Sequence, residues 1–269
     1  MRTDVMDFFG LSRAPQRVGF FETAHQQTLI REISGEIRQG GLIAISGIVG
    51  CGKTTLLQRL RAELAQSKDI IVSRSLAVDK DRVSINTLMT ALFYDLATEK
   101  DFKLPTQPEK RERKLIELIQ KHRKLVVLLV DEAHDLHYQT LSKLKRLIEL
   151  VRHNGGTLAV LLAGHPKLKN DLRRPNLEEI GARATIFSLN GIQGYQRDFI
   201  NWLLQQCCAD DVTITDVITN DAMSLLAERL STPLQIEQYL KLLFEEGYKV
   251  GQKPITTEII EMVLAQGLN

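Results

Sequence analysis

The residues best able to do chemistry lie in a glycine-rich segment that begins near residue 47. Leu42 to Leu57 reads LIAISGIVGCGKTTLL, an apolar run followed by spaced glycines and then lysine and threonine. This is the phosphate-binding loop pattern Gly-x-x-x-x-Gly-Lys-Thr in its usual setting, between a strand and a helix. Glycines let consecutive N–H groups converge on phosphate oxygens, and the start of the helix adds a partial positive charge. The segment therefore predicts a nucleoside triphosphate site.

The side chains of this loop have distinct expected roles. Lys53 is long enough to reach the β- and γ-phosphates, and the Thr54 hydroxyl can bind Mg²⁺. The remaining residues that we expect to contact the nucleotide lie in the same loop: Gly47, Gly50, Cys51, Gly52 and Thr55. The predicted cofactors are accordingly ATP and Mg²⁺.

A pair of acids after the most apolar run of the chain is the second chemical signature. Leu125 to Val130 reads LVVLLV, which is typical of a parallel strand covered on both faces, and Asp131 and Glu132 follow it. Ligands of open parallel sheets bind at the carboxyl ends of the strands, so these acids should lie beside the phosphate-binding loop. We expect Asp131 to hold Mg²⁺, directly or through water, and Glu132 to orient and polarise the attacking water.

The tip of another predicted strand carries a third candidate. Thr157 to Ala163 reads TLAVLLA and runs into Gly164, His165 and Pro166. Because parallel strands end at one edge of a sheet, His165 should lie between the loop and the acidic pair, where it could contact the γ-phosphate or the attacking water. A purely structural role for this histidine stays open.

Strands and helices alternate as far as residue 190, which predicts an α/β fold with a five-stranded parallel P-loop sheet flanked by helices. The predicted strands are 42–46, 69–75, 125–130, 157–163 and 184–189. Residues 191–269 show only helical periodicity and are predicted to form a helical lid domain. We assign residues 1–25 to the first domain, 1–190; their four phenylalanines either cover an adenine base or fill the core.

Composition narrows the class of protein. The chain has 269 residues and a net charge of +2, so any binding of nucleic acid must use a local basic patch. Three cysteines, one of them inside the loop, favour a reducing compartment over a disulfide framework. No apolar run is long enough to cross a bilayer, and the first residues have no signal-peptide pattern, so we expect a cytoplasmic protein without a membrane partner.

The order of these features resembles that of the AAA+ ATPases, and one branch in particular. That branch contains the secretion ATPase ExeA, the transposon ATPases TniB and TnsC and, more distantly, MuB and IstB. The segments that carry the resemblance are FFGLS at 8–12, HQQTL at 25–29, GIVGCGKTTLL at 47–57, VDEAH at 130–134, LAGHPKL at 162–168 and LRRP at 172–175. The resemblance covers nearly the whole chain.

What the resemblance implies goes beyond the nucleotide motifs. It makes Asp131 and Glu132 the Walker B pair and places His165 at the sensor-1 position. It also implies that an arginine just before the last strand reaches into the site of a neighbouring subunit. Here that residue is Arg183, with Arg173 and Arg174 as the next candidates. A site shared between subunits implies self-assembly into a ring or a helical filament.

One departure from the family pattern concerns the lid. The lid helix of such proteins often starts Gly-x-Pro-Arg, and the arginine senses the nucleotide. This chain has Leu230-Ser231-Thr232-Pro233-Leu234, so Leu234 stands where that arginine would be. Either sensing through the lid is lost, or Arg229 or another residue replaces it.

Two classes of biological role follow from the resemblance. The first is a transposition regulator that assembles with ATP on duplex DNA, without sequence preference, and recruits a transposase. The basic residues expected to contact DNA are Lys80, Arg82, Lys143, Lys145 and Arg146, although any one cluster taken alone is more typical of a solvated surface. The second is a secretion-system ATPase of the ExeA type, and a protein-only switch is a third alternative. Because the chain up to Asn269 lacks the membrane helix and cell-wall-binding region of ExeA, we expect the first.

Overall fold

The computed structural model describes residues 1–15, 19–75, 83–97 and 104–266. The chain divides into two compact units. An α/β unit comprises Ala24–Val49 and Lys53–Leu189, and a helical unit comprises Met1–Thr23, Gly50–Gly52 and the residues from Asn190 onward.

The α/β unit is built on one five-stranded parallel sheet, as the sequence predicts. The strands are β1 (Gly41–Ser46), β2 (Ile70–Arg74), β3 (Leu125–Val130), β4 (Thr157–Gly164) and β5 (Ala184–Ser188). Their order in the sheet is β2-β3-β4-β1-β5, and every pairing is parallel. The central strands β3, β1 and β4 are almost entirely buried, which explains their uninterrupted apolar sequences. The carboxyl ends of all five strands therefore lie along one edge.

Helices cover the sheet. They are α2 (Ala24–Gln39), α3 (Lys53–Leu64), α4 (Ile85–Leu96), α5 (Pro108–His122), α6 (Tyr138–His153), α7 (Pro166–Leu172) and α8 (Glu178–Gly181). Their apolar stripes repeat at helical spacing; Leu88, Leu92 and Leu96 of α4, for example, are fully buried. The core of this unit joins these stripes to the alternate residues of β3 and β4.

The helical unit contains α1 (Thr3–Phe9), α9 (Gln196–Cys207), α10 (Ile214–Val217), α11 (Asn220–Arg229), α12 (Pro233–Val250) and α13 (Thr257–Gln266). The sequence assigned residues 1–25 to the α/β domain, whereas Met1–Thr23 cluster here. The reason is aromatic packing. Phe9 is fully buried with its ring centroid 4.9 Å from that of Phe244 on α12, and Phe21 lies 5.5 Å from Phe199 on α9. Phe9 and Phe21 therefore pack in the core of the helical unit.

Cys207 of the helical unit is a packing residue. Cys207 is buried at the end of α9, and this burial raises the pKa of its thiol to about 12. The thiol therefore stays protonated near neutral pH and is a poor nucleophile. None of the helices in the described ranges is long and apolar enough to span a bilayer.

Candidate functional site

The phosphate-binding loop follows β1 directly. Gly47 N–H donates to the Gly164 carbonyl over 3.1 Å, which fixes the start of the loop against the tip of β4. Gly50 and Gly52 have φ angles of +78° and +98°, a conformation that residues with a Cβ rarely adopt. The backbone itself therefore favours glycine at Gly52, which the motif specifies, and at Gly50, which the motif leaves open.

Lys53 begins α3 and folds back over this loop. Its ammonium group donates to the carbonyls of Gly47 and Ile48, each over 2.9 Å, and the residue is only 7% exposed. Within the described residues, Lys53 has no carboxylate partner. A buried cation held only by neutral carbonyls is incompletely compensated, which favours a bound anion. The residues present thus fit the phosphates of a nucleotide.

Thr54 and Asp131 meet at the same place although they are 77 positions apart. The Thr54 hydroxyl donates to Asp131 Oδ2 over 2.8 Å, and Asp131 Oδ1 accepts the N–H of Glu132 over 2.9 Å. A hydroxyl and a carboxylate are the hard oxygen ligands that suit Mg²⁺, which is commonly bound by one or two protein oxygens together with substrate phosphates. The donor set therefore fits Mg²⁺ bound with a nucleotide.

We expect Asp131→Asn to weaken Mg²⁺-dependent nucleotide binding about 10- to 100-fold, because it removes the carboxylate charge beside the metal. Binding measured with EDTA should change little, since Lys53 and the loop N–H groups remain. Titration of a fluorescent ATP analogue with and without Mg²⁺ measures both values. Equal losses under the two conditions would contradict a metal-directed role.

Glu132 follows in a strained conformation. Its φ is +54°, in the left-handed region, which is uncommon for a residue with a side chain. Its Oε2 lies 3.3 Å from Nδ1 of His134, and the side chain is 44% exposed. The backbone turn thus gives the carboxylate a defined position next to Asp131.

His165 also lies close to His134. Its backbone N–H donates to His134 Nδ1 over 3.3 Å, and the two rings lie 5.8 Å apart. Its own Nδ1 accepts the N–H of Lys167 and caps α7. The structural role that the sequence left open is therefore present, and its role as a nucleotide sensor stays a prediction.

His134 is the residue that sequence reasoning missed. It contacts both Glu132 and the backbone of His165, so it connects the tips of β3 and β4. The only sequence signal was its place in the segment VDEAH, three residues after Asp131.

Known proteins resemble this chain both in sequence and in fold. The family profile of the AAA domain matches residues 37–172, which is half of the chain. The chain belongs to the AAA family and is an ATPase. General secretion pathway protein A of Aeromonas hydrophila is 30% identical over 191 residues, 66% of this chain. The ATPase spans only 33% of the length of that relative.

Solved structures share the fold of the ATPase. The Aeropyrum pernix ORC2 protein, in ADPNP–ADP complexes, matches with a TM-score of 0.63 and 13% identity over 96% of this chain and 71% of that one. The A. pernix ORC1 protein in complex with DNA matches with a TM-score of 0.58 and 15% identity over 91% and 66%. At such identities the likeness shows the fold alone.

Arg183 lies directly before β5, as the sequence predicts for the arginine of a shared site. In the ATPase it forms an ion pair with Glu149 of α6, while its side chain remains 61% exposed. The other two candidates differ, since Arg173 is exposed and Arg174 pairs with Asp171 over 2.9 Å. The contribution of any of them to a neighbouring subunit stays a prediction.

The residues predicted to contact DNA do not share one environment. Lys80 and Arg82 lie outside the described residues. Lys145 is largely buried and pairs with Glu179 and Glu149. Lys143 and Arg146 are exposed on α6 and line a cavity of about 280 Å³.

The helical unit also holds the residues around the missing lid arginine. Thr232 caps α12, and Leu234 N–H approaches the Gly50 carbonyl at 3.4 Å. A Cβ added to Gly50 would lie 2.6 Å from the Cβ of Leu234. Leu234 is thus an apolar packing residue against Gly50, and Arg229 ends α11.

Proposed function

We propose that this ATPase assembles with ATP and Mg²⁺ into a ring or filament on duplex DNA and there recruits a transposase as a regulator of transposition. The observation that carries the ATP-dependent part is the buried Lys53 ammonium beside the Thr54–Asp131 pair; among the described residues its partners are the two loop carbonyls alone. A nucleotide would complete this site, and an arginine from a neighbouring subunit would complete it for hydrolysis.

Two exposed cations of α6 support the DNA-binding part. Lys143 and Arg146 lie one helical turn apart, and neither forms an ion pair within the described part of the chain. Two cations bind DNA weakly, but a filament repeats them in every subunit, so the phosphate contacts accumulate. The A. pernix ORC1 protein, which shares the fold, was solved in complex with DNA, and this supports the DNA-binding part of the proposal.

A second candidate function rests on the relative from A. hydrophila. Its name, general secretion pathway protein A, supports a secretion-system ATPase, and the 30% identity covers 66% of this chain. This alternative requires ATP hydrolysis and a protein partner but no contact with DNA.

Binding to DNA separates the two functions. We expect a non-hydrolysable ATP analogue to shift a labelled duplex into slowly migrating complexes in gel electrophoresis, with affinity that falls steeply as salt rises and depends little on sequence. The double variant Lys143→Glu, Arg146→Glu should weaken this binding about tenfold or more, because each subunit loses two phosphate contacts.

The matched control is Lys124→Glu, which reverses one exposed charge just before β3, at the sheet edge opposite the nucleotide residues. It should bind DNA like the unmodified protein. Equal DNA binding with and without the analogue would contradict nucleotide-dependent assembly. No DNA binding in either condition would favour the secretion function.

A further inference from the structure

In the part of the chain that the structure describes, β2 lies at the edge of the sheet and no strand pairs with its outer side. Asp69 O accepts from Leu125 N, and Ser75 N donates to Leu129 O, so the odd-numbered residues direct their peptide groups toward β3. In a parallel strand the alternate residues face the other way. Val72 and Arg74 therefore point their N–H and C=O groups outward, and within the described residues these groups have no hydrogen-bond partner.

This edge forms the floor of a groove with a helix on each side. The chain reaches β2 from β1 through α3 and leaves it toward β3 through α4, in opposite directions along the sheet. Crossovers between parallel strands are almost always right-handed, so two crossovers that run in opposite directions put α3 and α4 on opposite faces of the sheet. The groove has a volume of about 440 Å³, and its lining consists of Arg61, Val72, Arg74, Ser75, Thr87, Thr90, Ala91, Tyr94 and Asp95.

The side chains of the groove have a consistent chemical character. Arg61 of α3 and Arg74 of β2 are exposed, and neither forms an ion pair among the described residues. The lining thus carries two cations and one carboxylate, that of Asp95. Tyr94 of α4 is 83% exposed, the highest value among the large apolar and aromatic side chains of the described chain. Such a surface attracts acidic groups and offers one aromatic contact.

We propose that this edge groove binds an extended acidic segment of a partner protein, which adds a sixth strand beside β2. The segment would form backbone hydrogen bonds with Val72 and Arg74. Its alternate side chains would point toward α3 and α4, because the side chains of a strand alternate between the two faces of the sheet. Acidic residues in the segment would pair with Arg61 and Arg74. This inference goes beyond the proposed function, which involves no peptide at this edge.

An extended peptide fits the groove better than DNA does. A helix lies on each side of this single strand, and the floor of the groove offers N–H donors alternating with C=O acceptors. A strand satisfies both kinds of group, whereas phosphate oxygens can only accept hydrogen bonds. The carbonyl groups of Val72 and Arg74 would remain unpaired against a phosphate backbone.

The decisive variant is Val72→Pro. Proline removes the outward N–H of this residue, and it is tolerated at edge positions that do not bond to the neighbouring strand. The bonds to β3 come from the odd-numbered residues and stay in place. Val72→Thr is the matched control, because it keeps the N–H and a β-branched shape. ATP hydrolysis by both variants reports whether each still folds.

The probe is a random heptapeptide library displayed on phage and selected on the full-length protein. We expect enriched sequences with Asp or Glu at alternate positions among β-branched residues. In fluorescence polarisation, a labelled peptide of that sequence should bind Val72→Thr normally and Val72→Pro at least about tenfold more weakly. Arg61→Glu should also weaken peptide binding. N-methylation of the alternate peptide nitrogens that face β2 should abolish it.

Several results would overturn the proposal. These are the failure of the library to enrich, enrichment of basic peptides, or equal binding by Val72→Pro and Val72→Thr. Weaker duplex binding by Arg61→Glu, without any effect on peptides, would assign the groove to nucleic acid. Loss of nucleotide-dependent assembly by Val72→Pro alone, measured by light scattering, would assign it to a second copy of this chain.

Discussion

Glu132→Gln is expected to lower ATP turnover by about 10²- to 10⁴-fold while leaving nucleotide binding intact, which is the range for loss of a general base. Glutamine keeps the size of the side chain and one acceptor oxygen but cannot take the proton of the attacking water. Lys53 and the Thr54–Asp131 pair, which fit the phosphates and Mg²⁺, are unchanged. A phosphate-release assay and a nucleotide titration measure the two quantities separately.

The matched control is Asp135→Asn, which neutralises a neighbouring acid. Asp135 Oδ1 lies 3.6 Å from Nε2 of His134, on the other side of the same imidazole that Glu132 contacts. If charge near His134 were the important quantity, both variants would lose turnover. We expect only Glu132→Gln to lose it and to accumulate ATP-bound assemblies. Normal hydrolysis by this variant would remove Glu132 from the water-positioning role.

The nucleotide-binding geometry was largely predictable from the sequence because it is encoded locally. Apolar runs that end at glycines or acids predicted β1, β3 and β4 within a residue or two. The parallel topology then required their ends to lie along one edge. The 2.8 Å contact between Thr54 and Asp131 is the consequence, although 77 positions separate the two residues.

Contacts between distant segments were not predictable. Periodicity shows that a side chain is buried but not what it packs against. The contact of Phe9 with Phe244, which joins the N-terminal segment to the helical unit, could therefore not be predicted. The ion pair of Lys145 with Glu179 is a second contact between distant segments that the sequence did not reveal. Three cations on one helix suggested a DNA surface, yet a carboxylate 34 residues away engages one of them.

The left-handed backbone conformation of Glu132 could not be predicted from the sequence either. Such a conformation is common for glycine and rare for glutamate, so the residue type does not predict it. It persists because surrounding structure holds it: the Asp131 carboxylate accepts the Glu132 N–H, and β3 and the turn at Ala133–Asp135 fix either side. Strain of this kind at an acid beside a nucleotide site agrees with the role predicted for Glu132.

Arg183→Ala is expected to lower turnover by about 10³-fold or more, the scale for loss of an arginine that stabilises the charge of phosphoryl transfer. Nucleotide binding should change little, because this arginine would act on the site of a neighbouring subunit. The ion pair with Glu149 does not prevent this role. Both side chains are partly exposed, at 61% and 44%, and such pairs contribute only about 0–1 kcal/mol.

The same ion pair supplies the control for Arg183. Glu149→Gln breaks the pair but keeps the arginine, so a structural role predicts that both variants fail, and a catalytic role predicts that only Arg183→Ala fails. A mixing experiment tests the shared site directly. Arg183→Ala subunits keep their own nucleotide residues, and Lys53→Ala subunits keep their arginine, so neither hydrolyses ATP alone. In a mixed head-to-tail assembly about a quarter of the junctions combine both intact halves, and turnover should recover to that extent. If mixing restores no activity, Arg183 does not act across subunits.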